Sequence, residues 1–414
     1  MLVHQLAALL LACWAVSVPM VSAVMTANRY VVGYYADWTS SRLGPDNIAY
    51  NKLTHINYAF GVLKNDYTVE LTSGNLLDTV VKNAHSHKVK VLLSVGGWSG
   101  SEFFSPMAKS AEGRQKTIDS LMDYVDQHRL DGLDIDWEFP GRVGMPCNQF
   151  DAQNDTKNLL AFLQELRKAL DAKYKDEPKL LTMAVRVEPF DGPNGPLTDL
   201  KTHANLLDFI TIMAYDINGG WEKTSGPNAP LTTQSGKGAQ FSLTQSVQAW
   251  MSAGFPASKL VAGLAMYGRA VTVTSTMDGK SQYAAIASTV PRGDKDDALW
   301  KTPGCDKEQE AYSGIWKWCN LKSEGLLASA STAGQGWKRY WDETTQTPWL
   351  YGNNTFISYD DPQSLTAKVN YVLAQKLSGV MVWELSQDRE AELLTHVHKA
   401  LNGKPSYQCR APSH

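Results

Sequence analysis

Residues 130–140 read LDGLDIDWEFP, with Asp131, Asp134, Asp136 and Glu138 set among Leu, Ile, Trp and Phe. In an extended strand, successive side chains take opposite faces, so Asp134, Asp136 and Glu138 share one face and Leu133, Ile135 and Trp137 the other. A helix would align Asp131, Asp134 and Glu138 but turn Asp136 away, and Pro140 stops the segment in either case. In a barrel strand one face meets the surrounding helices and the other meets the interior; the apolar set belongs against the helices, so the acids point inward. Three inward acids cannot all stay ionised, because burial and like charge raise their pKa values and leave at least one protonated near neutral pH. Asp131 has the opposite parity and reads as structural.

The rest of the chain supplies the barrel. β-type runs recur at Tyr30–Ala36, Leu53–Phe60, Val89–Gly97, Leu130–Glu138, Leu180–Val187, Leu206–Asp216, Lys259–Gly268 and Gly379–Leu385, eight in all. Amphipathic helical stretches lie between several of them, for example Thr156–Lys173 with Leu159, Phe162, Leu163, Leu166 and Leu170 on one stripe. Eight strands alternating with helices predict a (β/α)8 TIM barrel of the α/β class, and no Gly-rich phosphate loop follows the first strand to suggest an open doubly wound sheet. The segment between the seventh and eighth strands is too long for a plain loop. It reads as a small α+β insertion, 271–350, in a barrel spanning 24–270 and 351–402, with 403–414 as a tail. Glu138, at the C-terminal end of its strand, then sits where barrel active sites are built.

Composition narrows the partners. The net charge of −3 gives no electrostatic pull toward nucleic acid or an anionic membrane. Thirteen Trp and 17 Tyr favour flat or apolar ligand surfaces such as sugar rings. The nine His are scattered, with no HExxH or CxxC, so neither a metal nor another cofactor is expected. Residues 1–23 carry an apolar run ending in Val21-Ser22-Ala23 and read as a secretory leader, the run being shorter than the ~18–20 residues a spanning helix needs. The mature chain is therefore expected to be secreted, extracellular and monomeric, with Asn154 and Asn353 as N-x-T glycan acceptors. Removing Cys13 leaves four cysteines, an even number that favours disulfides. Cys305 with Cys319 would close a short loop and is the expected pair, leaving Cys147 with Cys409.

DGLDIDWE resembles the DxxDxDxE signature of glycoside hydrolase family 18, the chitinases, and LLSVGGWS at 92–99 is similar to that family's SxGG strand. IMAYDINGGW at 212–221, NAPL at 228–231, MYGRA at 266–270 and VMVWEL at 380–385 resemble its sixth to eighth strands in order. The resemblance implies retaining hydrolysis of β-1,4-N-acetylglucosamine linkages in chitin and chitooligosaccharides, assisted by the substrate's own 2-acetamido group. It implies that Glu138 is the acid and base, that Asp136 holds the acetamido group, that Asp134 tunes Asp136, and that Tyr215 binds the acetamido carbonyl. Trp383 would floor the cleavage site and Trp98 the leaving-group side. Tyr267 and Arg269 would line the groove, with further substrate contacts from Asp216, Met213, Phe60, Tyr35, Trp221 and Gly97. Ser94 would support Asp134, Gly96 and Gly97 would leave space, and the segment between strands seven and eight resembles the family's insertion domain.

Two features leave alternatives. The fifth strand ends AVRVEPF, placing Arg186 and Glu188 near the mouth, where they either pair with each other or reach the substrate. The same fold also serves chitin-binding lectins without catalysis, which usually lack the acid that Glu138 supplies here.

Overall fold

The computed structural model describes residues 29–403; residues 1–23, read above as a leader, and Cys13 and Cys409 lie outside them. Eight parallel strands form a closed barrel: β1 (Tyr30–Ala36), β2 (His55–Leu63), β3 (Lys90–Gly96), β4 (Gly132–Asp136), β5 (Leu180–Val185), β6 (Phe209–Ile212), β7 (Leu260–Ala265) and β8 (Gly379–Trp383). Each pairs with its sequence neighbour, and β1 closes the ring by pairing with both β8 (Tyr30↔Gly379) and β2 (Val32↔His55). Helices follow every strand from β2 to β6 and β8, and Pro362–Ala374 leads back into β8.

Strand parity sorts the side chains into two cores. Leu133, Ile135 and Trp137 join the outer core with Leu159, Phe162, Leu166 and Leu170 of the helix Asp155–Lys173. Trp137 stacks on Phe104 at 5.2 Å. Each such side chain contributes about 2 kcal/mol by leaving water. The inner core, inside the barrel, holds Val32, Tyr34, Ala59, Phe209, Val261 and Met381. Helix starts are fixed by their caps: Ser110 Oγ accepts the Gly113 N–H, and Asp361 with Ser364 forms a reciprocal capping box before Pro362–Ala374.

Between β7 and β8 the chain builds a five-stranded antiparallel sheet in the order Ile315–Lys317, Tyr267–Thr272, Thr355–Ser358, Thr347–Gly352, Lys338–Asp342. Its apolar face covers a small core of Val271, Val273, Met277, Trp349 and Phe356. The sheet draws on residues 267–358, a wider span than 271–350, because β7 stops at Ala265 and the next strand finds all its partners in the inserted segment.

The cysteine pairing differs from the sequence expectation. Cys147, in the loop after β4, is bonded to Cys305. Cys319 is a buried thiol bonded to no other described cysteine. The helix Trp318–Ser323 turns its sulfur toward the Ser386 carbonyl behind β8, away from Cys305, so proximity in sequence did not become proximity in space.

Candidate active site

The acids of β4 occupy the centre of the barrel. Asp134 accepts three hydrogen bonds, from Tyr34 Oη of β1 (2.6 Å), Ser94 Oγ of β3 (2.7 Å) and Thr182 Oγ1 of β5 (2.6 Å). Burial raises its pKa against the pull of these donors. Asp136 is buried one layer higher, and burial, then Glu138, then Asp134 push its pKa well above the carboxylate range. Its Oδ1 has no hydrogen-bond partner among the described residues.

Glu138 lies two residues beyond the end of β4. Loop side chains hold it: its N–H donates to Ser101 Oγ at 2.9 Å and its C=O accepts from Asn148 Nδ2 at 3.1 Å. Burial, assisted by the negative charge of Asp216, pushes its carboxyl up to about 8. A carboxylic acid that keeps its proton at neutral pH is equipped to donate it.

Facing the acids, the Tyr215 O–H donates, among the described residues, only to the Met381 sulfur at 3.9 Å, a weak acceptor that a stronger one could displace. Asp216 stands at φ +56° with its N–H on Asn228 Oδ1. Its carboxylate accepts from Tyr267 Oη and Arg269 Nε, both at 2.6 Å. Desolvation would raise its pKa, but Arg269 and Tyr267 hold it below the usual range, so it stays charged and paired. The Arg269 guanidinium lies 4.9 Å over the exposed Trp221 ring, and Met213 packs half-buried on the inner core.

An aromatic lane leads out of the barrel. Trp383, at the end of β8, packs on Tyr34 at 5.2 Å and stacks on Phe60 at 5.9 Å; Trp38, 60% exposed, stacks on the same Phe60 at 5.9 Å. Trp98, 45% exposed, stands past the end of β3. The preceding Gly96 and Gly97 have φ of +112° and +79°, and a Cβ on Gly97 would lie 2.5 Å from the Phe60 ring. Rings of this kind suit the apolar faces of sugars.

Tyr35 does not belong to this cleft. It is fully buried on the outer side, packed on Tyr58, with its hydroxyl on the Leu43 carbonyl at 3.0 Å. Its neighbour Tyr34 has the inward parity, which the unbroken apolar run of β1 does not reveal. Arg186 makes two hydrogen bonds to Glu188 Oε2, at 2.7 and 2.6 Å, and lies 3.4 Å from Asp191. Tyr34, Trp38, Ser101, Asn148 and Thr182 were not expected in the site. For Thr182 a signal was available in LLTMAV, where a polar residue between Leu181 and Met183 has inward parity; the structure pairs it in register with Asp134. Among the described residues, no group of His, Cys, Asp and Glu is arranged to hold a metal ion.

The family described as "Glycosyl hydrolases family 18" matches residues 30–388. A chitinase structure from Rhizomucor miehei superposes with a TM-score of 0.83 at 35% identity, over 90% of this chain and 100% of that one. A "chitinase-like effector" of Moniliophthora perniciosa is 35% identical over 389 residues, covering 89% of this chain and 86% of the relative. "Chitotriosidase-1" of Mus musculus is 31% identical, covering 91% and 76% respectively.

Proposed function

Because the chain belongs to glycosyl hydrolase family 18, we propose that it is a chitinase, cleaving β-1,4-N-acetylglucosamine linkages with retention through the substrate's own acetamido group. Glu138 gives its proton to the glycosidic oxygen as the C1–O bond breaks. The acetamido carbonyl oxygen bonds to C1, with Asp136 on the acetamido N–H and the Tyr215 hydroxyl on its oxygen. Water then attacks C1, losing a proton to Glu138 and restoring the acetamido group.

One observation carries this reading. Asp216, the other cleft carboxylate facing Glu138, is already bound by Arg269 and Tyr267 at 2.6 Å each. A carboxylate so engaged is a poor nucleophile, and Asp136 approaches from the same strand as the acid. The attacking atom therefore comes from the substrate. The Trp38, Phe60 and Trp383 lane supports an extended chain of sugars. The apolar leader at 1–23 and the Cys147–Cys305 bridge support secretion into an oxidising compartment.

A second reading, chitin binding without turnover, is favoured by the relative named a "chitinase-like effector". Both are tested by following cleavage and binding of N-acetylglucosamine oligomers by the wild type and Glu138→Gln. Turnover that is lost in a variant that still binds supports the hydrolase. Tight binding with no turnover in either protein supports the sequestering reading and refutes the first.

A further inference from the structure

Asp134 and Asp136 are fixed by the ladder, which pairs them with Ser94 and Gly96 of β3. Glu138, beyond the last pair, has no ladder bonds, and both of its main-chain groups are held by side chains. Ser101 Oγ accepts its N–H at 2.9 Å and also lies 2.8 Å from the Gly97 carbonyl. Asn148 Nδ2 donates to the Glu138 carbonyl at 3.1 Å and to the Trp98 carbonyl at 3.0 Å. One buried amide thus ties the main chain at Glu138 to the main chain at Trp98. Asn148 is 6% exposed, and its Oδ1 has no partner among the described residues, so its two contacts to the site are made by its donors alone. The preceding residue, Cys147, is bonded to Cys305 of the inserted segment.

We propose that Asn148 is a positioning residue that sets the spacing of Glu138 and Trp98, and that the Cys147–Cys305 bridge keeps it in place, so that the inserted segment governs where the acid stands. The catalytic consequence rests on the hydrolase reading above; the geometric one does not. An acid displaced by a fraction of an ångström loses its line to the glycosidic oxygen while the aromatic lane goes on binding sugars.

The test uses the full chain with Asn148→Ala, Asn148→Asp and Cys305→Ser. Three quantities are read: kcat and KM on soluble N-acetylglucosamine oligomers, the carbon-13 titration of the Glu138 carboxyl (assigned against Glu138→Gln), and thermal unfolding. Asn148→Ala should lower kcat about 30-fold with KM changed less than about threefold. Asn148→Asp should be worse, because a carboxylate repels the two carbonyl oxygens the amide holds, and Cys305→Ser should fall in the same direction by about fivefold. In each, Glu138 should titrate below its wild-type value as it moves toward water. Folded variants with unchanged kcat and unchanged titration overturn the proposal, as does Asn148→Asp equalling Asn148→Ala. If the wild type turns nothing over, the hydrolase reading fails while the titrations still decide the clamp. If the Asn148 variants do not fold, Cys305→Ser and reduced wild type decide it.

Discussion

Asp216→Asn removes the one negative charge that, with burial, holds the Glu138 proton. The carboxyl rises from its ordinary value of 4.5 to about 8, with burial the larger cause and Asp216 the second. Burial supplies the larger part of that rise and the Asp216 charge the rest, so removing the charge lowers the carboxyl without returning it to its ordinary value. The substitution also frees Arg269, whose guanidinium sits 2.6 Å from the lost carboxylate, and a nearby positive charge lowers the pKa further. Both effects have the same sign. A general acid works only while protonated, so the alkaline limb of kcat/KM, which reports the free enzyme, should move to lower pH, by on the order of 1 pH unit. The assay is the pH profile of kcat/KM on a soluble oligomer for both proteins. Lost substrate contacts would reduce the height of the curve without moving its limb. A limb that stays in place or moves upward would refute the assignment of Glu138 as an acid tuned by Asp216.

Glu138→Gln should be more stable than the wild type at pH 7.5, by about 2 kcal/mol after allowing for partial exposure, and equal to it at pH 4. The folded carboxyl titrates above its unfolded value, so its stability contribution is complete below about 4.5 and is lost as pH rises toward about 8; calorimetry showing a pH-independent difference would contradict this. Tyr34→Phe removes one of the three donors to Asp134 and should cost about 1–3 kcal/mol in urea unfolding. A loss below about 0.5 kcal/mol would mean that the bond contributes little. Gly97→Ala places a methyl against the Phe60 ring at positive φ and should both destabilise the fold, by about 2 kcal/mol, and weaken oligomer binding. Gly195→Ala, also at positive φ but with nothing nearby, is the control, and equal oligomer affinity in the two variants would remove Phe60 from the lane.

The barrel was legible because the strands are short, mostly apolar and in several cases followed by a helical stripe, and because alternation in LDGLDIDWE assigns faces without further information. Where alternation fails, so does the reading. YVVGYYA is apolar at every position, so nothing in it tells Tyr34 from Tyr35; Tyr35 was expected to contact substrate, whereas Tyr34 is the ring that points inward, onto Asp134. The end of β4 was placed at Glu138 because acids and apolar residues keep alternating, whereas the ladder stops at Asp136. What replaces the ladder, Ser101 and Asn148, comes from loops whose contacts are set by tertiary folding and leave no periodic trace. Cysteine pairing failed for the same reason: a short-loop preference acts on the unfolded chain, while the bridge is decided by which folded loops meet.

The pairing of β1 with both β2 and β8 leaves the sheet without a free edge. Asp134 and Asp136 are buried inside that ring, and the acid that continues their face, Glu138, stands at its mouth. A sugar seated across the mouth would stand between that cluster and bulk water. Under the proposed reaction, the hydrogen that leaves with the alcohol is repaid only by the hydrolytic water. The incoming molecule and the cluster's hydrogen count are one stoichiometric unit, and a cycle run in heavy water would begin with the label already installed on the acid.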